Sequence, residues 1–126
     1  MNGNVWAYRQ TSGYRPGMDL TGYKVQATEG SIGKVDKHSD EIGSAYLVVD
    51  TGPWIFGREV LLPVRAITKV DEEARRIYID LTKAEIEDAP EFDRDKHLGN
   101  ADYRSALSAY YGFGASFAGR PATRAA

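Results

Sequence analysis

From residue 20 onward the apolar positions fall in short runs separated by glycine, proline and acidic turn residues. Tyr23, Val25 and Ala27 alternate with Lys24, Gln26 and Thr28, the period-2 pattern of a half-buried strand. Glu29-Gly30-Ser31 reads as the turn that follows. Ile32 to His38 predicts a second strand, but Ile32 and Val35 fall out of phase, which places a β-bulge at Gly33. Asp40 to Ser44 closes the next hairpin. Ala45 to Val49 is continuously apolar, as in a strand covered on both faces, and Val60-Leu61-Leu62 is similar. Pro63 ends that strand or sets it at a sheet edge. Val64 to Val70 predicts a weaker strand, Asp71-Glu72-Glu73 a polar turn, and Ile77, Ile79 and Leu81 the inner face of the last strand. Six strands spaced about ten residues apart predict a mainly β fold, a small antiparallel six-stranded barrel.

Two helices follow from their caps. Thr82-Lys83-Ala84-Glu85 fits a capping box, with Leu81 and Ile86 placed as a hydrophobic staple, and Pro90 stops the helix. A C-terminal helix runs from an Asn100 cap to Gly112, with Tyr103, Ala106, Leu107, Tyr110 and Tyr111 on one stripe. That stripe has to dock on the barrel or on another subunit. Residues 1–17 show neither period and read as an extended arm, with too little apolar surface to hold it down. Residues 18–93 form the body and 94–111 a charged linker and the helix. Residues 112–126, rich in Gly and Ala, read as a disordered tail.

Composition adds limits. The 126 residues leave room for one domain, and 42% hydrophobic with 27% charged residues is the range of a folded soluble chain. The net charge of -2 disfavours nucleic acid as a partner through any overall basic field. No cysteine is present, which excludes thiolate metal sites and cysteine nucleophiles and fits a reducing, cytoplasmic location. No apolar run approaches the roughly 18 residues of a membrane span, and the start lacks the apolar stretch of a signal peptide.

Candidate chemistry is sparse. Gly30-Ser31-Ile32-Gly33-Lys34 fails as a phosphate loop, because Thr28 and Val35 occupy the positions that need Gly and Ser or Thr, and a strand follows instead of a helix. Asp36, His38, Asp40 and Glu41 would be the one hard-metal cluster, but a site needs three or four converging ligands and two of these lie on a turn. His97 stands among charged residues and is expected to be exposed. The serines lack a nucleophile elbow. We therefore expect no catalytic residues, no metal and no cofactor. The unusual segment is Thr51-Gly52-Pro53-Trp54-Ile55-Phe56-Gly57, which puts three large apolar side chains in a loop. It predicts either a plug for one end of the barrel or an anchor for a partner, since exposed aromatic clusters mark binding sites.

The order of pieces Gly30-Ser31-Ile32-Gly33-Lys34-Val35, Tyr46-Leu47-Val48-Val49-Asp50, Phe56-Gly57-Arg58-Glu59-Val60-Leu61-Leu62-Pro63, Ile77-Tyr78-Ile79-Asp80 and Thr82-Lys83-Ala84-Glu85-Ile86 with Ala89-Pro90 resembles the PRC-barrel family. Its best-known members are the cytoplasmic part of the photosynthetic reaction-centre H subunit and the C-terminal domain of the bacterial ribosome maturation factor. The likeness spans residues 18–93. Residues 94–111 look like the short tail, ending in a Tyr-Tyr-Gly helix, of stand-alone bacterial members.

The resemblance implies a small barrel used for assembly and protein contact, without family-wide catalytic residues. The membrane helix of the reaction-centre subunit and the extra barrel of the ribosome factor have no counterpart in this sequence, which favours a stand-alone bacterial adaptor over a reaction-centre accessory protein. The expected contacts are Trp54, Ile55, Phe56 and Arg58 of the loop and Tyr103, Leu107, Tyr110 and Tyr111 of the helix, with a homodimer as the simplest assembly and a further protein partner unnamed. An RNA-associated role would need Arg58, Arg65, Arg75 and Arg76 to gather on one face. A ligand-binding barrel would need an internal cavity.

Overall fold

The computed structural model describes residues 5–39, 45–52 and 58–111. The strands are β1 (Lys24–Ala27), β2 (Gly30–Ser39), β3 (Tyr46–Asp50), β4 (Glu59–Pro63), β5 (Ile67–Asp71) and β6 (Arg76–Ile79). The helices are α1 (Lys83–Asp88), α2 (Arg94–His97) and α3 (Ala101–Tyr111). The expected hairpin at 40–44, the Trp54-Ile55-Phe56 segment and the tail from Gly112 lie outside the described residues.

One sheet takes all six strands in the order β4-β3-β2-β1-β6-β5. This corrects the expected antiparallel barrel in two respects. The β1–β6 pairing is parallel, and the sheet is not closed, with β4 and β5 as its edges. The cause lies in residues 64–66, expected to begin a strand. They form a 3₁₀ turn, Val64–Ala66, that carries the chain from β4 to β5 without reversing its sense, so β6 returns parallel to β1. In a flat sheet the two edges would stand about 24 Å apart, five strand spacings. The four Cα steps from Pro63 to Ile67 reach at most about 15 Å. The sheet must therefore roll, and its concave side holds the core of Leu20, Val25, Ile32, Leu47, Leu62, Ile67 and Ile77, each at most 1% exposed.

The bend in β2 is where the sequence placed it. Val25 faces Gly33 and Gln26 faces Ser31, leaving Ile32 as the extra residue that brings both Ile32 and Val35 into the core. Gly33 adopts φ +147°, and a Cβ there would stand 2.0 Å from the Asp50 carbonyl oxygen. A second register shift at Asp36 turns β2 toward β3.

The arm carries more core than its composition suggested. Val5 and Trp6 are buried, and residues 10–12 of the arm pack beside β5. Arg65 N–H donates to the Val5 carbonyl at 3.0 Å and Arg9 Nε to the Arg65 carbonyl at 2.7 Å, Gly13 lies against the Val70 carbonyl, and Arg15 pairs with Glu72 at 2.9 Å. The capping box of α1 forms as expected, with Glu85 N–H donating to Thr82 Oγ1 at 3.0 Å and Thr82 N–H to Glu85 Oε1 at 2.8 Å. Asn100 caps α3 by accepting from Tyr103 N–H at 2.9 Å. Within the expected linker, Asp93 caps the unforeseen α2 by accepting from Asp95 N–H.

Gly33→Ala should cost about 3 kcal/mol or more, because strain at positive φ is compounded by a backbone clash. Gly30→Ala is the control: φ is +139° there, with open space around the position, so only the backbone strain of about 1–3 kcal/mol remains and the loss should be smaller than at Gly33. Urea midpoints of the two variants should separate accordingly, and equal midpoints would refute the close approach.

Candidate functional site

The loop between β3 and β4 is clamped at its base. Thr51, 1% exposed, donates from both its N–H (3.3 Å) and its Oγ1 (2.8 Å) to the Arg58 carbonyl. Asp50 Oδ1 accepts from Gly52 N–H at 2.9 Å, tightening the turn into the loop. Thr51 can do this because it directly follows β3 at the base of the loop and brings a hydroxyl to the Arg58 carbonyl.

Beside this base a cleft of about 550 Å³ opens, lined by Asp50, Arg58, Glu59, Phe92 and Arg94 among others. Arg94 is its organising residue. Its Nε and Nη2 grip Glu59 at 3.1 and 2.8 Å, a bidentate pair, and Nη2 also reaches Asp36. Those bonds, Glu59's first and then Asp36's, hold the guanidinium above an arginine's ordinary range. The group is about one-third exposed, so water screens the pair, and its worth is of order 0.5–1 kcal/mol. Nothing local along the chain signals it, because the partners lie 35 and 58 residues away. Arg58 is half-buried, and its Nε is buried without a hydrogen-bond partner.

The stripe on α3 divides. Tyr103, Leu107 and Tyr111 are buried in the chain's own core, whereas Ala106 is exposed and Tyr110 is 40% exposed. Tyr103 Oη donates to the Pro90 carbonyl at 2.8 Å and Tyr110 Oη to the Glu85 carbonyl at 2.7 Å, so the helix is tied to α1 and to the segment after it. Both buried phenols, Tyr103 and Tyr111, are pushed above the ordinary tyrosine range by loss of solvent.

Neither histidine stands where the sequence placed it in isolation. His97, expected to be exposed, is half-buried, stacks on Tyr103 at 4.2 Å between ring centres, and accepts from Asp93 N–H at Nδ1. His38 holds the arm: Leu20 N–H donates to Nδ1 at 3.4 Å and Tyr8 Oη lies 2.6 Å from Nε2. Asp36 and His38 thus serve different partners, and among the described residues no group of three potential ligands comes together. Nor do the four arginines share a face. Arg65 sits in the turn before β5 while Arg76 faces Asp71 at the strand's far end, Arg75 lies over the Tyr23 ring, and Arg58 lines the cleft.

The two tyrosines make alkaline stability a test of helix docking. A phenol whose pKa is higher folded than unfolded contributes fully below about pH 10, and that contribution is lost as pH rises past it toward the folded value. Above about pH 10, stability should fall by up to about 1.4 kcal/mol per pH unit for each tyrosine. Tyr111→Phe should flatten this slope by about one tyrosine's share in urea titrations between about pH 9 and about pH 11. An unchanged slope would show that Tyr111 does not stay protonated in the folded chain.

The comparisons with known proteins agree with this architecture. A search of curated proteins returned no match. The family model of the PRC-barrel domain matches residues 17–86, from the end of the arm through β1–β6 to the first turns of α1, and on that match the chain belongs to the PRC-barrel family.

Proposed function

We propose that the chain is a non-catalytic protein-contact and assembly module of the stand-alone bacterial kind, which pairs with a second copy of itself through the Trp54-Ile55-Phe56 segment. The observation that carries this reading is the clamp at Thr51 and Arg58: a short segment with three large apolar side chains is launched from a fixed base beside an open cleft. A fixed base lowers the ordering cost of a contact. Because Tyr103, Leu107 and Tyr111 are spent on the chain's own core, α3 brings to such a contact chiefly the exposed edge of Tyr110. The polar groups support a structural role as well, since Arg94, Glu59, Asp36 and both histidines are engaged in holding elements together. A cysteine-free sequence suits a reducing cytoplasm.

Sedimentation at micromolar concentration should give a dimer for the unaltered chain. Burial of one large apolar side chain contributes roughly 1.5–3 kcal/mol, so Trp54→Ser with Phe56→Ser should weaken pairing by about a hundredfold or more. A lower melting temperature with unchanged mass would identify the segment as a plug of the rolled sheet. A chain that stays monomeric at every concentration would end the self-association reading, and turnover removed by His38→Ala would end the non-catalytic one.

A further inference from the structure

The register of the sheet sets six charged residues in one row. From β5 to β4, Asp71 faces Arg76, Arg76 faces Lys24, Lys24 faces Lys34, Lys34 faces Asp50 and Asp50 faces Glu59. Facing residues project to the same side of a sheet. Their neighbours Val70, Ile77, Val25, Val35, Val49 and Val60 are all buried, so the row lies on the outer side.

The three carboxylates in the row are engaged elsewhere. Asp71 Oδ1 accepts from Ala74 N–H at 3.0 Å, Asp50 Oδ1 from Gly52 N–H at 2.9 Å, and Glu59 is gripped on both oxygens by Arg94. The three cations between them are not. Among the described residues no carboxylate forms an ion pair with Lys24, Lys34 or Arg76, and Arg76 Nε is buried with no hydrogen-bond partner. Residues directly opposite in a sheet have Cβ atoms about 5 Å apart, where like charges are destabilising, so the register sets Lys24 against Lys34 and leaves neither in an ion pair among the described residues. Lys69, facing Tyr78 on the same outer side, adds a fourth cation. Next to the two facing lysines a cleft of about 500 Å³ opens, lined also by Ile32, Gly33, Thr51 and Gly52. Gly52 leads in sequence straight into Pro53-Trp54-Ile55-Phe56.

We infer that the outer side of the sheet around Lys24, Lys34 and Arg76 docks an extended acidic segment of a partner protein, with its carboxylates on the cations and an apolar side chain in the cleft beside Gly33. The inference rests on the reading of the chain as a protein-contact module and names a surface and a partner chemistry for it. A protein segment fits better than a nucleic acid. The chain carries a net charge of -2, which disfavours a nucleic acid as the occupant.

Fluorescence anisotropy of a labelled oligo-glutamate peptide with the full chain at low salt tests this. Binding should weaken about tenfold or more in Lys24→Glu with Lys34→Glu, less in the Gln pair, and fade as salt is added. Lys96→Glu, an exposed change of the same charge on α2, should leave it intact. Both lysines are exposed, and far-ultraviolet dichroism checks that each variant folds. Equal loss in Lys96→Glu, or equal or tighter binding of oligo-uridylate, would overturn the inference. So would a change of sedimenting mass in the Lys24/Lys34 variant, which would make a second copy the occupant. The two readings fail separately: a monomeric chain that still binds oligo-glutamate through Lys24 and Lys34 loses only self-association, and a dimer blind to the peptide loses only this surface.

Discussion

Three residues between β4 and β5 govern the shape of the whole domain. Because Val64–Ala66 cannot span a flat six-stranded sheet, the sheet has to roll, and rolling decides which residues meet. It brings the inner faces of β1, β2, β3 and β6 onto one core. It also requires one strand to change partners along its length, and β2 does so, pairing with β1 over its first half and β3 over its second. Two register shifts, at Ile32 and Asp36, supply the bend. Gly33 supplies the space, because only a residue without Cβ lets β2 approach the Asp50 carbonyl so closely.

The rolled sheet also explains the placement of polar groups. Inside, nearly every position is apolar. Outside, the paired strands line six charges up in one row, while residues 90–111 fold back so that Arg94 reaches Glu59 at the edge strand and Asp36 on β2. The polar residues around the base of the β3–β4 loop therefore act at two levels. Thr51, Glu59 and Arg94 hold a loop and a helix in place, and the charges they leave uncommitted face solvent.

Much of this was legible in the sequence wherever the cause was local. The slip of phase between Ile32 and Val35 located the bulge, Thr82 with Glu85 located α1, and Asn100 located α3, because caps and strand phase are set by residues only a few positions apart. The arm's anchors were harder to read: Val5 and Trp6 are two apolar residues in a polar stretch, and only the position of β5 makes them core. The parallel β1–β6 pairing depends on a turn whose sequence resembles a strand, and the charged row depends on five registers at once. His97 looked solvated among charges because nothing local reveals that Tyr103 packs against its ring. The Trp54-Ile55-Phe56 segment, prominent in the sequence, lies outside the described residues, so its reading rests on its base at Thr51 and Arg58.

The course of the arm has a consequence for how the protein keeps itself apart from its neighbours in a crowded solution. An unclosed sheet has two borders, and a border strand offers unpaired backbone donors and acceptors to any other chain with an exposed strand. At β5 that border is met by residues 10–13 of the arm, with Gly13 against the Val70 carbonyl, and the arm is tied just beyond the strand's two ends, by Val5 and Arg9 at Arg65 and by Arg15 at Glu72. Losing those few residues would take Val5 and Trp6 out of the core and at the same time bare a strand, so the arm's contribution should show in resistance to edge-to-edge aggregation as well as in resistance to unfolding.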